Sequence, residues 1–176
     1  GVDEVIENLE DLGFFIAPAS TNFHSNCREG LLQHSVKVCR VGLMLREQMI
    51  KMNPDLDDLL PFDSVILATL LHDVCKSEIY KPAVKKRKNH YGIWEEYNGY
   101  DVNYSQFPLG HGEKSVIMLL RMGLDMTDEE IMAIRWHMTA WDLAFQSPEM
   151  KSNLNAAKEK NPLCSLVQTA DALSTN

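Results

Sequence analysis

Ten consecutive residues, Phe62-Asp63-Ser64-Val65-Ile66-Leu67-Ala68-Thr69-Leu70-Leu71, carry apolar side chains at seven positions. A helix this apolar does not suit a surface position, so the run predicts a central core helix that other helices must cover. Pro61 suits its first turn, and the pattern runs to about Val74. The run ends in His72-Asp73. Adjacent side chains of these types are rarely needed for packing. On a helix they lie about 100° apart, close enough for both to reach one ion at the helix end. A neutral imidazole with a carboxylate is a ligand set for a divalent transition metal.

The segments around this helix read mostly as helices too. Val2, Val5, Ile6, Leu9 and Leu12 fit a short amphipathic helix ending at Gly13. A long helix is expected from Gly30 to about Met52, stopped by Asn53-Pro54. Another starts at Gly110. Thr127-Asp128-Glu129-Glu130 has capping-box spacing and opens a helix to about Thr139. Ser147-Pro148 and Asn161-Pro162 start two more, a short one and a last one bearing Asp171. Residues 84–104 are rich in Tyr, Trp and Val and contain Tyr91-Gly92 and Asn98-Gly99, which favours a β-hairpin inserted between helices. The expectation is an all-α, single-domain bundle over residues 1–176, with about seven helices and a small hairpin around 84–104.

Bulk composition narrows the function. No apolar run approaches the ~18–20 residues of a membrane span, so no membrane partner is expected. A formal net charge of −8 argues against general binding to nucleic-acid backbone. The acidic start lacks the layout of a signal peptide, and Cys27, Cys39, Cys75 and Cys164 show no C-x-x-C spacing. They read as reduced, mostly buried structural thiols of a cytoplasmic protein.

The other histidines give the His-Asp pair its context. His34 lies early on the long helix, His111 at a helix start, His137 in the last turns of the capped helix, and Asp171 on the final helix. Helical bundles build metal centres in this way, from side chains on facing helices. Taken singly, each has a plainer reading. A lone histidine on an apolar face is more often a core residue with one hydrogen bond. His111 would serve in a turn, and Asp171 as a cap or surface residue. The weight lies in the joint pattern, since four of six histidines take part; His24 and His90 are left over in loop and hairpin.

These residues resemble the H…HD…D signature of the HD-domain metal-dependent phosphohydrolases. Gly30-Leu31-Leu32-Gln33-His34-Ser35 is similar to the family's G-L-L-x-H-S. Leu70-Leu71-His72-Asp73-Val74-Cys75-Lys76 is similar to its L-L-H-D-x-x-K, and Ala170-Asp171-Ala172-Leu173 to its late A-D-x-L. The resemblance spans roughly residues 28 to 174. It implies that His34, His72, Asp73 and Asp171 hold one divalent metal. His111 and His137 resemble the extra histidines of the dinuclear subgroup, which implies a second ion bridged by Asp73. One or two ions of Fe, Mn, Zn, Ni or Co are thus implied. The cyclic-dinucleotide branch carries a G-Y-P motif after the pair; Lys76-Ser77-Glu78-Ile79-Tyr80-Lys81-Pro82 has none.

The implied chemistry is metal-activated water attacking the phosphorus of a small phosphomonoester or phosphodiester, nucleotide-like in type. Asp73 and Lys76 are the candidate catalytic residues. Lys76 lies three positions after Asp73, on about the same helical face, and is a candidate phosphate contact. Its plainer reading is a cation at a helix C-terminus. Lys114, in Gly110-His111-Gly112-Glu113-Lys114-Ser115, is a second candidate phosphate contact. Glu113 would orient a ligand or simply complement the helix dipole. Lys81, Lys85, Lys86, Arg87 and Lys88 read as a solvated strand, with steering of a polyanion as the alternative. Trp94, Tyr97, Tyr100 and Tyr104 are expected to pack the hairpin on the helices, and Trp136 and Trp141 to form wall or core. Two other functions stay open: a diiron oxygenase of the same fold, and a metal-stabilised regulatory module. The oligomeric state is not read from the chain.

Overall fold

The computed structural model describes residues 2–21, 25–103, 107, 109–139 and 148–175. Its elements are α1 (Val2–Asp11), α2 (Gly30–Met52), α3 (Leu56–Leu59), α4 (Phe62–Leu71), α5 (Lys76–Ile79), β1 (Tyr80–Lys88), β2 (Trp94–Val102), α6 (His111–Arg121), α7 (Asp128–Trp136), α8 (Pro148–Lys160) and α9 (Pro162–Ser174). Among the described residues there are thus seven helices of nine residues or more, two single-turn helices and one antiparallel hairpin. This is the all-α architecture expected from the periodicity. His24, Tyr104, Trp141 and Ser147 lie outside the described residues.

Local chemistry sets most boundaries. Thr127 Oγ1 accepts the Glu130 N–H at 3.2 Å, and the Glu130 carboxylate accepts the Thr127 N–H at 2.9 Å, completing the capping box. Asn161 Oδ1 caps α9 at Leu163 N–H (3.0 Å). The same side chain donates to the Glu129 carbonyl at 2.8 Å and so ties α9 to the start of α7. α2 ends at Met52, where Pro54 cannot continue it.

α2 packs against α4 and α9, α7 against α4, α6 and α9, and α8 against α9 and α7. Leu31, Val65, Ala68, Leu119, Ile134, Leu163 and Val167 form the buried centre. Gly42 permits the α2–α4 approach, since a Cβ there would lie 2.8 Å from Thr69 Cγ2. The core helix is central as expected, but only its Ser64, Val65, Ala68 and Thr69 face is buried. Ile66, Leu67, Leu70 and Leu71 line an apolar cavity of about 560 Å³ shared with α1. Among the described residues, no helix is long and apolar enough to cross a membrane.

Three expectations shift. α4 stops at Leu71 rather than Val74, with Pro61 one position before the helix. Beyond Leu71 the backbone tightens into i→i+3 bonds, from Val74 N–H to Leu71 O (3.2 Å), Lys76 N–H to Asp73 O (2.9 Å) and Glu78 N–H to Cys75 O (3.1 Å). The strands begin at Tyr80 rather than 84, paired from Tyr80↔Val102 to Lys88↔Trp94. Gly92, at φ +77°, makes the turn, whereas Asn98-Gly99 lies inside β2 opposite Ala83 and Val84. α8 is not short; it runs 13 residues.

Candidate metal centre

His72 and His137 stand at equivalent places, each the residue that follows the last turn of its helix. His72 Nδ1–H donates back to the Thr69 carbonyl at 2.9 Å, and His137 Nδ1–H to the Ile134 carbonyl at 2.7 Å. Each bond satisfies a helix-end carbonyl and leaves Nε2 facing away from its own helix. It is also the outer bond that a metal-binding histidine commonly makes, fixing tautomer and ring orientation. Because α4 and α7 pack together, the two rings meet edge to face with centroids 4.8 Å apart.

α2 and α9 close the group from the other side. His34 Nε2 lies 3.3 Å from His72 Nε2, 3.2 Å from Asp171 Oδ1 and 3.6 Å from Asp73 Oδ2. His72 Nε2 lies 3.2 Å from Asp73 Oδ2 and 3.7 Å from Asp171 Oδ1. Two ligands held tetrahedrally at ~2.0–2.2 Å from one ion would stand ~3.3–3.6 Å apart. His34, His72 and Asp73 therefore have the spacing of a single coordination sphere, and Asp171 lies within 3.7 Å of both histidines. All but Asp171 are 2% exposed or less.

Asp73 has a second side. Its Oδ1 lies 3.5 Å from His137 Nε2, and both atoms are buried without a hydrogen-bond partner. Buried polar atoms left unmatched are costly and uncommon, which marks the gap between these two as a place for a ligand. His111 also approaches Asp73. One ring nitrogen of His111, Cys75 Sγ and an Asp73 oxygen lie within 4.8 Å of one another. Gly112 makes the approach possible: a Cβ there would sit 2.2 Å from the Arg135 carbonyl, two residues before His137.

Charges in the cluster hold each other in ionised forms. Burial opposes a proton on His72, but the Asp73 and Asp171 carboxylates outweigh it and push the ring up to about 10. Burial likewise opposes ionisation of Asp73, yet Lys76 and His72 hold it well below the usual carboxylate range. Asp171 is lowered against its burial by hydrogen bonds to His34 and His72. Burial, reinforced by Asp73, pushes the Cys75 thiol up to about 12.

The structure thus brings His34, His72, Asp73, His137 and Asp171 together, with His111 beside Asp73. Lys76 joins them, its Nζ 2.6 Å from Asp73 Oδ2. With His137, Gln168, Asp171 and Thr175 it lines a cleft of about 290 Å³. Lys114 is not among the residues lining that cleft; its ammonium is buried and paired with Glu78 at 2.9 Å. Glu113 holds Arg135 at 2.7 Å. Lys85, Lys86 and Arg87 pair with Asp101, Glu96 and Glu95 on the opposite strand. Trp94 is 64% exposed with Lys88 over its ring, so it does not pack the hairpin on the helices. Tyr97 is half-buried under Arg87, and the His90 and Tyr91 rings touch at a tilt of 44° at the exposed turn. Trp136 packs against the core, partly covered by Arg135. Cys75, read from the sequence as structural, stands with Asp73 and His111 as a group that could hold a metal ion; its signal was a thiol two residues after a candidate ligand carboxylate.

A helical bundle that gathers His/Asp donors from four helices and their ends defines a helical domain with groups that could hold a metal ion. The chain belongs to the HD domain family, which matches residues 31–176, more than four fifths of its length. No curated protein and no solved structure matches it. HD domains bind divalent metals, and the family includes metal-dependent phosphohydrolases.

Proposed function

We propose that the protein is a metal-dependent phosphohydrolase that cleaves a small phosphomonoester or phosphodiester, nucleotide-like in type. The observation that carries this reading is the two-sided Asp73. Its Oδ2 faces His34, His72 and Lys76, and its orphaned Oδ1 faces His137. His34, His72, Asp73 and Asp171 would hold one cation, and Asp73, His111 and His137 a second. A divalent cation there supplies an acidified water at neutral pH and neutralises phosphoryl charge.

The chain's own residues do the rest. Lys76 restrains the Asp73 carboxylate and adds positive charge at the cleft wall, where a phosphoryl group would enter. Thr139, Gln168 and Thr175 line the same cleft and offer hydrogen bonds that orient a substrate. Burial of His72 and Asp73 excludes bulk water and strengthens every charge interaction in the group.

The test is cation-depleted protein reloaded with Mn²⁺, Co²⁺ or Zn²⁺ and assayed for phosphate release on a panel of nucleotide mono- and diesters. Cation-dependent release is expected. O₂ consumption with a mixed-valent iron signal and no phosphate release would replace this reading by oxygenase chemistry. A folded protein that binds none of these ions would overturn it.

A further inference from the structure

We propose that Cys75 joins Asp73 and His111 as a ligand of the second cation position, adding a sulfur donor that selects a thiophilic divalent ion such as Zn²⁺ over Mn²⁺ or Mg²⁺. The inference rests on the metal-site reading above and names the chemistry of one half of it.

Cys75 Sγ lies 3.5 Å from His111 Nδ1. With metal–sulfur bonds of ~2.3 Å and metal–nitrogen bonds of ~2.0–2.1 Å, tetrahedral ligands of these kinds stand ~3.5 Å apart. The third corner is an Asp73 oxygen, within 4.8 Å of both. Independently of the thiol, Asp73 Oδ1 and His137 Nε2 are buried, unpartnered and 3.5 Å apart. The backbone holds Cys75 in place. Its N–H donates to Ser115 Oγ at 3.3 Å, pinning the tight turn after Asp73 to the first turns of α6, where His111 begins the helix. The other two buried thiols lie elsewhere: Cys164 contacts Asn161, and Cys39 sits on α2. Both nearby ammonium groups are engaged by carboxylates, Lys114 by Glu78 at 2.9 Å and Lys76 by Asp73 at 2.6 Å.

A bound cation compensates the thiolate that this buried place otherwise disfavours. Binding replaces the S–H bond by a metal–sulfur bond and releases one proton to solvent. Soft thiolate then sets the selectivity, because Mn²⁺ and Mg²⁺ prefer oxygen donors.

The test loads cation-depleted protein with Co²⁺ and reads the near-ultraviolet sulfur-to-cobalt absorption. The band is expected in the native chain and in Cys27→Ser, and is expected to vanish in Cys75→Ser. Zn²⁺ affinity of that variant's weaker site should fall by more than the ~10–100-fold that loss of an outer partner costs, with Mn²⁺ affinity little changed. Zinc-edge X-ray absorption of the native protein needs no variant and should find a sulfur neighbour at ~2.3 Å. Bound Co²⁺ without a sulfur band, or zinc with nitrogen and oxygen neighbours only, overturns the assignment and leaves the metal site standing. That outcome would mean that Cys75 S–H merely donates to His111. Protein that takes up neither ion overturns both readings.

Discussion

Asp73 and Glu95 each hold a basic side chain at nearly the same distance, Asp73 with Lys76 at 2.6 Å and Glu95 with Arg87 at 2.7 Å. Their surroundings differ. The Asp73 side chain is 2% exposed and faces three histidines, whereas Glu95 is 39% exposed on the hairpin, with Arg87 63% exposed. In water-screened pairs the gain is ~0–1 kcal/mol, because solvent replaces a lost partner. In the buried cluster no water substitutes, and removing one member leaves the others uncompensated. Contact distance alone therefore does not separate a functional charge from a decorative one; burial and unmatched neighbours do.

Removing the two carboxylates separately should break the resemblance between these pairs most sharply. Asp73→Asn should abolish phosphate release, more than ~100-fold, and empty both cation positions. In cation-free protein it should cost ~3–5 kcal/mol by stranding Lys76 and His72. Activity assays, metal analysis and urea melts read the three effects, and retained cation binding would remove Asp73 from the centre of the site.

Gly112→Ala should cost ~1–3 kcal/mol in a urea melt, since its Cβ would meet the Arg135 carbonyl at 2.2 Å. It should also weaken the His111 side of the cluster more than the His34 side, visible as loss of one cation equivalent before the other. An unchanged melt would show that α6 and α7 can separate without cost.

Cation-free protein should carry the signature of the buried cluster in its pH profile. The His72 contribution is complete below its ordinary value of 6.5 and is lost as pH rises towards about 10. The Asp73 and Asp171 contributions are complete above their ordinary value of 3.8 and are lost as pH falls below it. Chelator-treated protein should thus be most stable between pH ~4 and ~6.5 and weaken into the alkaline range. A urea midpoint flat from pH ~5 to ~9 would count against a protonated His72 between the two carboxylates.

Glu95→Gln is the mild counterpart of Asp73→Asn. It should change stability by ~0.5 kcal/mol or less and leave phosphate release and its salt dependence unaltered. A marked gain of activity on a polyanionic substrate, lost at high salt, would instead give the hairpin a steering role.

Much of the local structure was legible in the chain because its causes are local. The Thr127/Glu130 box, the Asn161-Pro162 start, the Asn53-Pro54 stop and the turn at Gly92 depend on side chains and dihedrals within a few residues. The end of α4 was misread by three residues because nothing in the local pattern announces the tighter turns after Leu71. Exposed Trp94 was expected against the helices, since aromatic content says nothing of which surface a strand presents.

The candidate site divides in the same way. The sequence by itself offered the candidate donors His34, His72, Asp73, His111, His137 and Asp171, because side-chain chemistry is written residue by residue. Tertiary structure decided the pairings. Packing of α2 on α9 and of α4 on α7 sets His34 beside Asp171 and His72 beside His137. It also gives Lys76 to Asp73, Lys114 to Glu78 and Cys75 to His111. Apart from Lys76, those partners come from separate elements, and only the closure of the core fixes which polar atoms share a water-free space.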